Sequence, residues 1–237
     1  MVTKTWTGKP GQELQKSIHY QGRKAARAKS EQRRIQILEA ALRIAAKDGI
    51  RGVKHRSVAK EAGVPLASTT YYFKDIEELI SDAFMLFAEN AQTNLDAFYL
   101  TLNQYLDRFD LDALQAEEKV RREFAEGLVQ LGTHYLMDQL TNRKEAILAE
   151  QVFLLEAIRD PELKALARKY REAWISGLEA FLVRLGTPTP ETDSSLLTTA
   201  VLGLGYDGIL YEEDFSRSRL EGVLRRLLYQ VMRLPVE

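Results

Sequence analysis

The chain has 237 residues, 45% hydrophobic and 28% charged, with a net charge of −1, the make-up of a globular protein long enough for one large domain or two. It contains no cysteine, which excludes disulfides and thiolate zinc sites and fits a reducing, cytoplasmic location. No run approaches about 18 apolar residues, so no membrane span is expected, and the first 29 residues lack the apolar core of a signal peptide.

The near-neutral total hides an asymmetry. Residues 1–80 hold 16 Lys+Arg against 8 Asp+Glu, a net +8, and the remainder holds 17 against 26, a net −9. A basic front beside an acidic back is the footprint of a polyanion-binding module joined to something that is not one.

In chain order, residues 1–29 read as a flexible arm ending in the basic run Arg23-Lys24-Ala25-Ala26-Arg27-Ala28-Lys29. Such an arm can follow phosphates or enter a minor groove, or can be a plain tail. A helix is predicted over about 31–47, where Ile35, Leu38, Leu42 and Ala45 recur at steps of three and four, with Gly49 as its stop. Short helices are predicted over about 55–62 and 66–72, separated by the tight turn Ala62-Gly63-Val64. That is a helix-turn-helix, which presents its second helix to the major groove of DNA. Asp75 and Glu78 have capping-box spacing and open a fourth helix that buries Leu79, Ile80, Ala83, Phe84 and Phe87.

Further helices are predicted over 92–109, 115–140, 143–158, 161–185, 191–211 and 217–233, with no strands. Start signals are Asp160-Pro161 and Thr189-Pro190, and the pairs Asn142 with Glu145 and Ser218 with Glu221. The expected architecture is all-α: a three-helix DNA-binding head over 30–76 and a helical ligand-binding and dimerisation body over 77–237.

A recognition helix needs short or polar side chains on its outer face. Leu66, Ala67, Ser68, Thr70 and Tyr71 are the candidates, with Thr69 and Phe73 turned inward. Hydroxyls can bond base edges or phosphates, and Ala67 and Leu66 can touch thymine methyls. With no Asn, Gln or Arg in this helix, direct readout from it is modest. Arg56 is the best candidate for a bidentate contact to guanine, against the alternative of a surface salt bridge. Lys54, His55, Tyr71, Tyr72 and Lys74 suit phosphate contacts, which position without specifying. For the two tyrosines, packing is the alternative.

In the body, Phe124, Leu128, Leu131, Tyr135, Phe153, Ala157, Trp174, Leu178 and Phe181 recur at helical spacing, around the polar His134, Gln151, Tyr170 and Asp207. The set reads either as core or as a small-molecule site, which is an apolar cavity with few polar anchors. Leu131, His134, Tyr135, Phe153, Tyr170, Trp174, Leu178 and Asp207 are the ligand-site candidates. Gly203, Gly205 and Gly208, and the stripe Leu220, Val223, Leu224, Leu227, Leu228 and Val231, suggest a two-helix seam for a homodimer.

No catalytic signature is present: the histidines, at 19, 55 and 134, are scattered, and no metal-ligand pair stands at helical spacing. No enzyme activity, metal or cofactor is expected. The run Gly203-Leu204-Gly205-Tyr206-Asp207-Gly208 matches a dinucleotide fingerprint in letters but lies in helical sequence without the strand that motif requires. Two readings stay open: a regulator released from its operator by a small apolar effector, and one without a small ligand, controlled by abundance or a protein partner.

Three stretches carry a family resemblance: Ile37-Leu38-Glu39-Ala40-Ala41, Val58-Ala59-Lys60-Glu61-Ala62-Gly63-Val64, and Tyr71-Tyr72-Phe73-Lys74-Asp75 followed by Glu77-Glu78-Leu79. In order and spacing over about 50 residues they resemble the TetR family of bacterial regulators, and Asp207-Gly208-Ile209 echoes a late-helix step of that family. The resemblance implies an all-helical homodimer with a DNA-binding head for a double-stranded operator, and a ligand-binding body whose last two long helices make the dimer contact. It also implies repression more often than activation. The chain departs from the pattern at Pro65, where members often have Ser, at Thr70, where the first Tyr often stands, and at Ile76, commonly Lys.

Overall fold

The computed structural model describes residues 28–235, and every regular element among them is helical. The helices are α1 (Ala28–Asp48), α2 (His55–Glu61), α3 (Leu66–Tyr72), α4 (Ile76–Leu106), α5 (Leu111–Ala116), α6 (Glu118–Asn142), α7 (Lys144–Ala157), α8 (Pro161–Leu185), α9 (Pro190–Tyr211) and α10 (Arg217–Val231), with 3-10 turns at Ile50–Gly52 and Glu212–Asp214. The all-α expectation holds. The predicted arm lies outside the described residues up to residue 27, while Ala28 and Lys29 already belong to α1.

Two boundaries differ from the sequence reading. The fourth helix and the one expected over 92–109 are a single 31-residue helix, α4, because no Gly or Pro interrupts residues 76–106. The helix expected over 115–140 is divided. Asp110 caps the short α5, its Oδ1 accepting from Ala113 N at 2.9 Å, and Glu117 leaves the helical region before α6 begins.

The caps divide in the same way. Asp160 Oδ1 accepts from Glu162 N and Leu163 N at 2.8 and 3.0 Å, as its spacing predicts. Thr189 instead donates to the Asp193 carboxylate, and Asn142 donates to Asp138, so neither caps its helix through its side chain. The last helix is capped by Ser216, which accepts from Arg219 N, two residues before the expected Ser218.

The described residues form two compact units. The first comprises residues 28–93 and 145–171. Its core joins Ile37, Leu38, Ala41 and Ile44 of α1 to Val58 of α2, Phe73, and Leu79 and Ala83 of α4, all buried. The buried face of α1 is centred on Ile37, Leu38 and Ala41, and Ile35 and Leu42 sit at its margin. The turn after α2 closes as a Schellman-type cap: Gly63 takes φ +64°, and Val64 N bonds Ala59 O at 3.0 Å. Gln36 Nε2 donates to Ala62 O at 2.8 Å, tying this turn to α1. In the same unit Phe84 and Phe87 of α4, Phe153 of α7 and Tyr170 of α8 pack ring against ring.

The second unit comprises residues 94–144 and 172–235. Here α10 lies on α6, burying Val129, Leu136, Leu204, Phe215, Leu220 and Leu224 together. Arg225 grips Glu126 with Nε and Nη2 at 2.8 and 3.0 Å, and Tyr229 Oη donates to the same carboxylate at 2.7 Å. The Arg225 guanidinium holds that carboxyl below its ordinary range. Gly127 of α6 and Gly177 of α8 lie against tyrosine rings of α4. A Cβ at either position would overlap the ring of Tyr105 or of Tyr99, so only glycine fits.

Candidate functional site

The short α3 has two unlike faces. Thr69 and Phe73, one turn apart, are buried, while Leu66, Ala67, Thr70, Tyr71 and Lys74 stand exposed on the opposite side, with Ser68 at the border. Tyr71 is 75% exposed, the most open of the large apolar side chains. Pro65 occupies the N-cap without a side-chain hydrogen bond, and Ser68 N bonds Pro65 O at 2.9 Å instead.

The elements around α3 hold this face in place. Thr69 Oγ1 lies 3.1 Å from His55 Nδ1 and donates to Leu66 O at 2.8 Å, linking the start of α2 to α3. The hydroxyls of Tyr72 and Ser30 are 2.8 Å apart, and Tyr72 packs edge-on against Tyr71 at 5.1 Å. His55 and Tyr72 are thus half-buried and bonded within the head, whereas Lys54 and Arg56 are exposed. Among the described residues Arg56 has no ion-pair partner, although Arg43 nearby is taken by Glu61 at 2.8 Å. Lys74 Nζ is 3.9 Å from Asp75, a loose and exposed contact. The head therefore offers three free or loosely held cations flanking a surface of short side chains.

A second site lies wholly within the other unit. A cavity of about 80 Å³ is lined by Phe98, Tyr99 and Leu102 of α4, Leu128, Gly132, Tyr135 and Leu136 of α6, Trp174, Leu178, Phe181 and Leu182 of α8, Leu197, Thr198 and Val201 of α9, and Leu224 and Leu228 of α10. No charged side chain is among them. Tyr99 Oη donates to Trp174 O, and burial raises its phenol well above the ordinary value. Beside it is a more polar pocket of about 250 Å³, lined by Leu131, His134, Asp138 and Arg143 among others. Phe98 and Tyr135, stacked at 4.2 Å, line both.

Residues 37–83 match the family model of bacterial regulatory proteins, tetR family, and residues 120–230 match that of the tetracyclin repressor-like C-terminal domain. The chain belongs to the TetR family. As a TetR-family member it is a DNA-binding transcriptional regulator, with α2 and α3 as its helix-turn-helix. It is 41% identical over 59 residues to the HTH-type transcriptional regulator PksA of Bacillus subtilis, a match that spans 25% of this chain and 29% of that relative. A transcriptional regulator from Rhodococcus sp. Rha1 shares the fold with a TM-score of 0.62 at 23% identity, over 84% of this chain and 96% of the other. A TetR-family member from Streptomyces coelicolor A3 shares it with a TM-score of 0.52 at 26% identity, over 86% and 99%. No helix among the described residues of this TetR-family chain is long and apolar enough to cross a membrane.

The structure sorts the residues singled out in the regulator's body into separate places. Tyr135, Trp174 and Leu178 meet in the apolar cavity, and Leu131 and His134 line the neighbouring pocket. Phe153 and Tyr170 line neither. They belong to the aromatic core of the first unit, where Phe153 is fully buried. Asp207 faces Arg219 at 3.3 Å. Leu224 and Leu228, read from sequence as part of a dimer seam, are cavity wall, and Leu220, Leu224 and Val231 are buried within the chain. Sequence reasoning missed Phe98, Tyr99 and Thr198 as lining residues. Thr198 carried only a shared signal: the pair Thr198-Thr199 interrupts the apolar stretch from Leu196 to Leu202.

Proposed function

We propose that this protein is a cytoplasmic repressor that binds a palindromic operator as a homodimer and leaves it when a small, largely apolar ligand enters the cavity lined by Tyr135, Trp174 and Leu178. The head is assigned to residues 30–76 and the sensing and dimerising body to 77–237. The observation that carries the reading is a cavity walled by apolar and aromatic side chains from five helices, the usual form of a small-molecule site. Arg56 reads a base; Leu66, Ala67, Ser68 and Thr70 lie in the groove; Lys54, His55, Tyr71, Tyr72 and Lys74 approach phosphates. Dimerisation uses the outward faces of α9 and α10, where Leu196, Tyr206, Leu210 and Val223 are exposed, in an isologous four-helix contact.

Helix α4 links sensing to release. It begins at the cap beside α3 and ends in residues of the cavity wall, so a ligand that changes its course changes the heading of the recognition helix. The ligand must prefer the released state, since equal affinity for both states shifts nothing. A coupling of about 1–3 kcal/mol weakens operator binding about 5- to 150-fold, and operator weakens ligand binding by the same factor. Calorimetry of a ligand bound in the cavity, with and without operator DNA, tests this. Equal affinities would rule the coupling out.

A further inference from the structure

Three helices end around one cleft of the second unit. The turn from α5 into α6, the residues after α8 and the last turn of α10 enclose about 280 Å³, more than the roughly 150 Å³ that holds a benzene. Leu114, Leu185, Val231 and Met232 give it a buried apolar floor. Arg121 and Arg233 bring two positive charges to it, and no acidic side chain lines it among the described residues. Balancing the partial negative charge of the helix ends does not account for both. The last carbonyls are already bonded: Arg121 Nη1 donates to Leu114 O and Gln115 O at 3.2 and 2.9 Å, Thr187 N to Leu182 O at 3.1 Å, and Leu234 N to Tyr229 O at 2.8 Å. Arg121 is thereby held against the backbone, its Nη2 without a partner among the described residues. The Arg233 side chain is exposed and makes no hydrogen bond or ion pair among them. Arg233 also closes α10 at φ +54°, a left-handed cap that glycine adopts freely and a side chain does not. An arginine kept there in spite of that strain points to a use for its charge.

We propose that this cleft is a second small-molecule site, distinct from the apolar cavity, and that it takes an organic oxyanion: a carboxylate or phosphate monoester on a compact apolar body. The guanidinium forks of Arg121 and Arg233 meet the oxygens, and the body lies on the floor made by Leu185 and Met232. A neutral molecule of the same shape leaves both charges unanswered, and a cation is repelled by them. An inorganic anion meets the charges and leaves the floor uncovered. The site stands whether or not the apolar cavity holds an effector, because no side chain lines both.

The test titrates the whole protein, free of DNA, by calorimetry with para-tert-butylbenzoate, phenyl phosphate, para-tert-butylbenzamide and inorganic phosphate. At least one organic oxyanion is expected to bind about tenfold or more tightly than the benzamide and than inorganic phosphate, the margin of a hydrogen bond to a charged group. Its affinity should fall as sodium chloride is raised, and that of the benzamide should not. In ¹H–¹⁵N spectra the amide of Gly186, which lines the cleft, should move with the oxyanion, while that of Gly132, in the wall of the apolar cavity, stays in place. Arg233→Gly removes the charge and suits the cap, so it should melt no lower than the wild type and bind the oxyanion about tenfold more weakly. Arg121→Gln should weaken binding likewise; if that variant does not fold, Arg233→Gly decides. Equal affinities for oxyanion and benzamide, inorganic phosphate bound as tightly as the organic oxyanion, movement of Gly132 in place of Gly186, unchanged binding in Arg233→Gly, or no binding of either organic oxyanion at millimolar concentration would each overturn the proposal.

Discussion

Tyr170 donates a hydrogen bond of 2.8 Å to Glu150, and the acid it serves is only 7% exposed. Burial pushes the Glu150 carboxyl above its ordinary range, partly offset by that bond and by Arg171. A carboxyl with a raised folded-state pKa adds stability below its unfolded pKa and loses it as pH rises through the folded one. Glu150→Gln keeps an oxygen for Tyr170 and cannot ionise. It should raise the melting temperature by a few degrees at neutral pH and match the wild type near pH 4. The gap should open as pH rises through the window between the unfolded carboxyl value and the raised one. Melting curves across pH check this, and a variant less stable at neutral pH would contradict it.

Arg56 stands exposed on α2 with no ion-pair partner among the described residues. Arg56→Ala should weaken specific operator binding by about 1–3 kcal/mol and relax preference at one base pair per half-site. Titration against single-base operator variants measures it. A uniform loss across all variants would move Arg56 from base reading to phosphate contact.

Lys74 is the more open cation, its side chain 89% exposed. Lys74→Ala should weaken specific and non-specific DNA alike. The slope of log K against log[salt] should become shallower by about one per subunit contact removed. An unchanged slope would show that Lys74 meets no phosphate.

Leu210 and Val223 point outward from α9 and α10, 60% and 36% exposed. Leu210→Glu with Val223→Glu should leave a folded monomer that no longer binds operator at concentrations where the wild type does. Leu224→Glu should instead unfold the protein, because Leu224 of α10 is buried against α6, where a large core change costs about 2 kcal/mol or more. Sedimentation with melting curves separates the two outcomes. A double variant that remains dimeric would place the subunit contact elsewhere.

The head was legible because its signals are local. Gly63 in a left-handed turn, the Asp75 cap and the spacing of Val58, Thr69 and Phe73 each act within one or two helical turns, and each appears in the structure where the residues put it. The body was legible as helices and not as a site. Its cavity depends on which faces of five helices meet, and periodicity cannot separate Phe153 and Tyr170, which pack in one unit, from Tyr135 and Trp174, which line a cavity in the other. Caps failed where a nearer partner competed. Asn142 found Asp138 one turn back, and Thr189 found Asp193. The stripe on α10 was read as one surface because sequence shows its width and not the position of α6, which takes Leu220 and Leu224 for itself.

The joint between α3 and α4 is a weld and not a pivot. Phe73 is 1% exposed in the core of the head, the Asp75 carboxylate binds Glu78 N at 2.8 Å, and Glu78 in turn receives the N–H of Lys74. Three consecutive residues, Phe73, Lys74 and Asp75, are thereby fixed at both ends, and the first turns of α4 that follow contain no Gly or Pro to serve as a hinge. Torque applied to α4 is not dissipated at this corner. Within the head, the recognition face and the first turn of α4 therefore form one stiff block, and any tilt of that turn reaches in full the side chains that must find a groove.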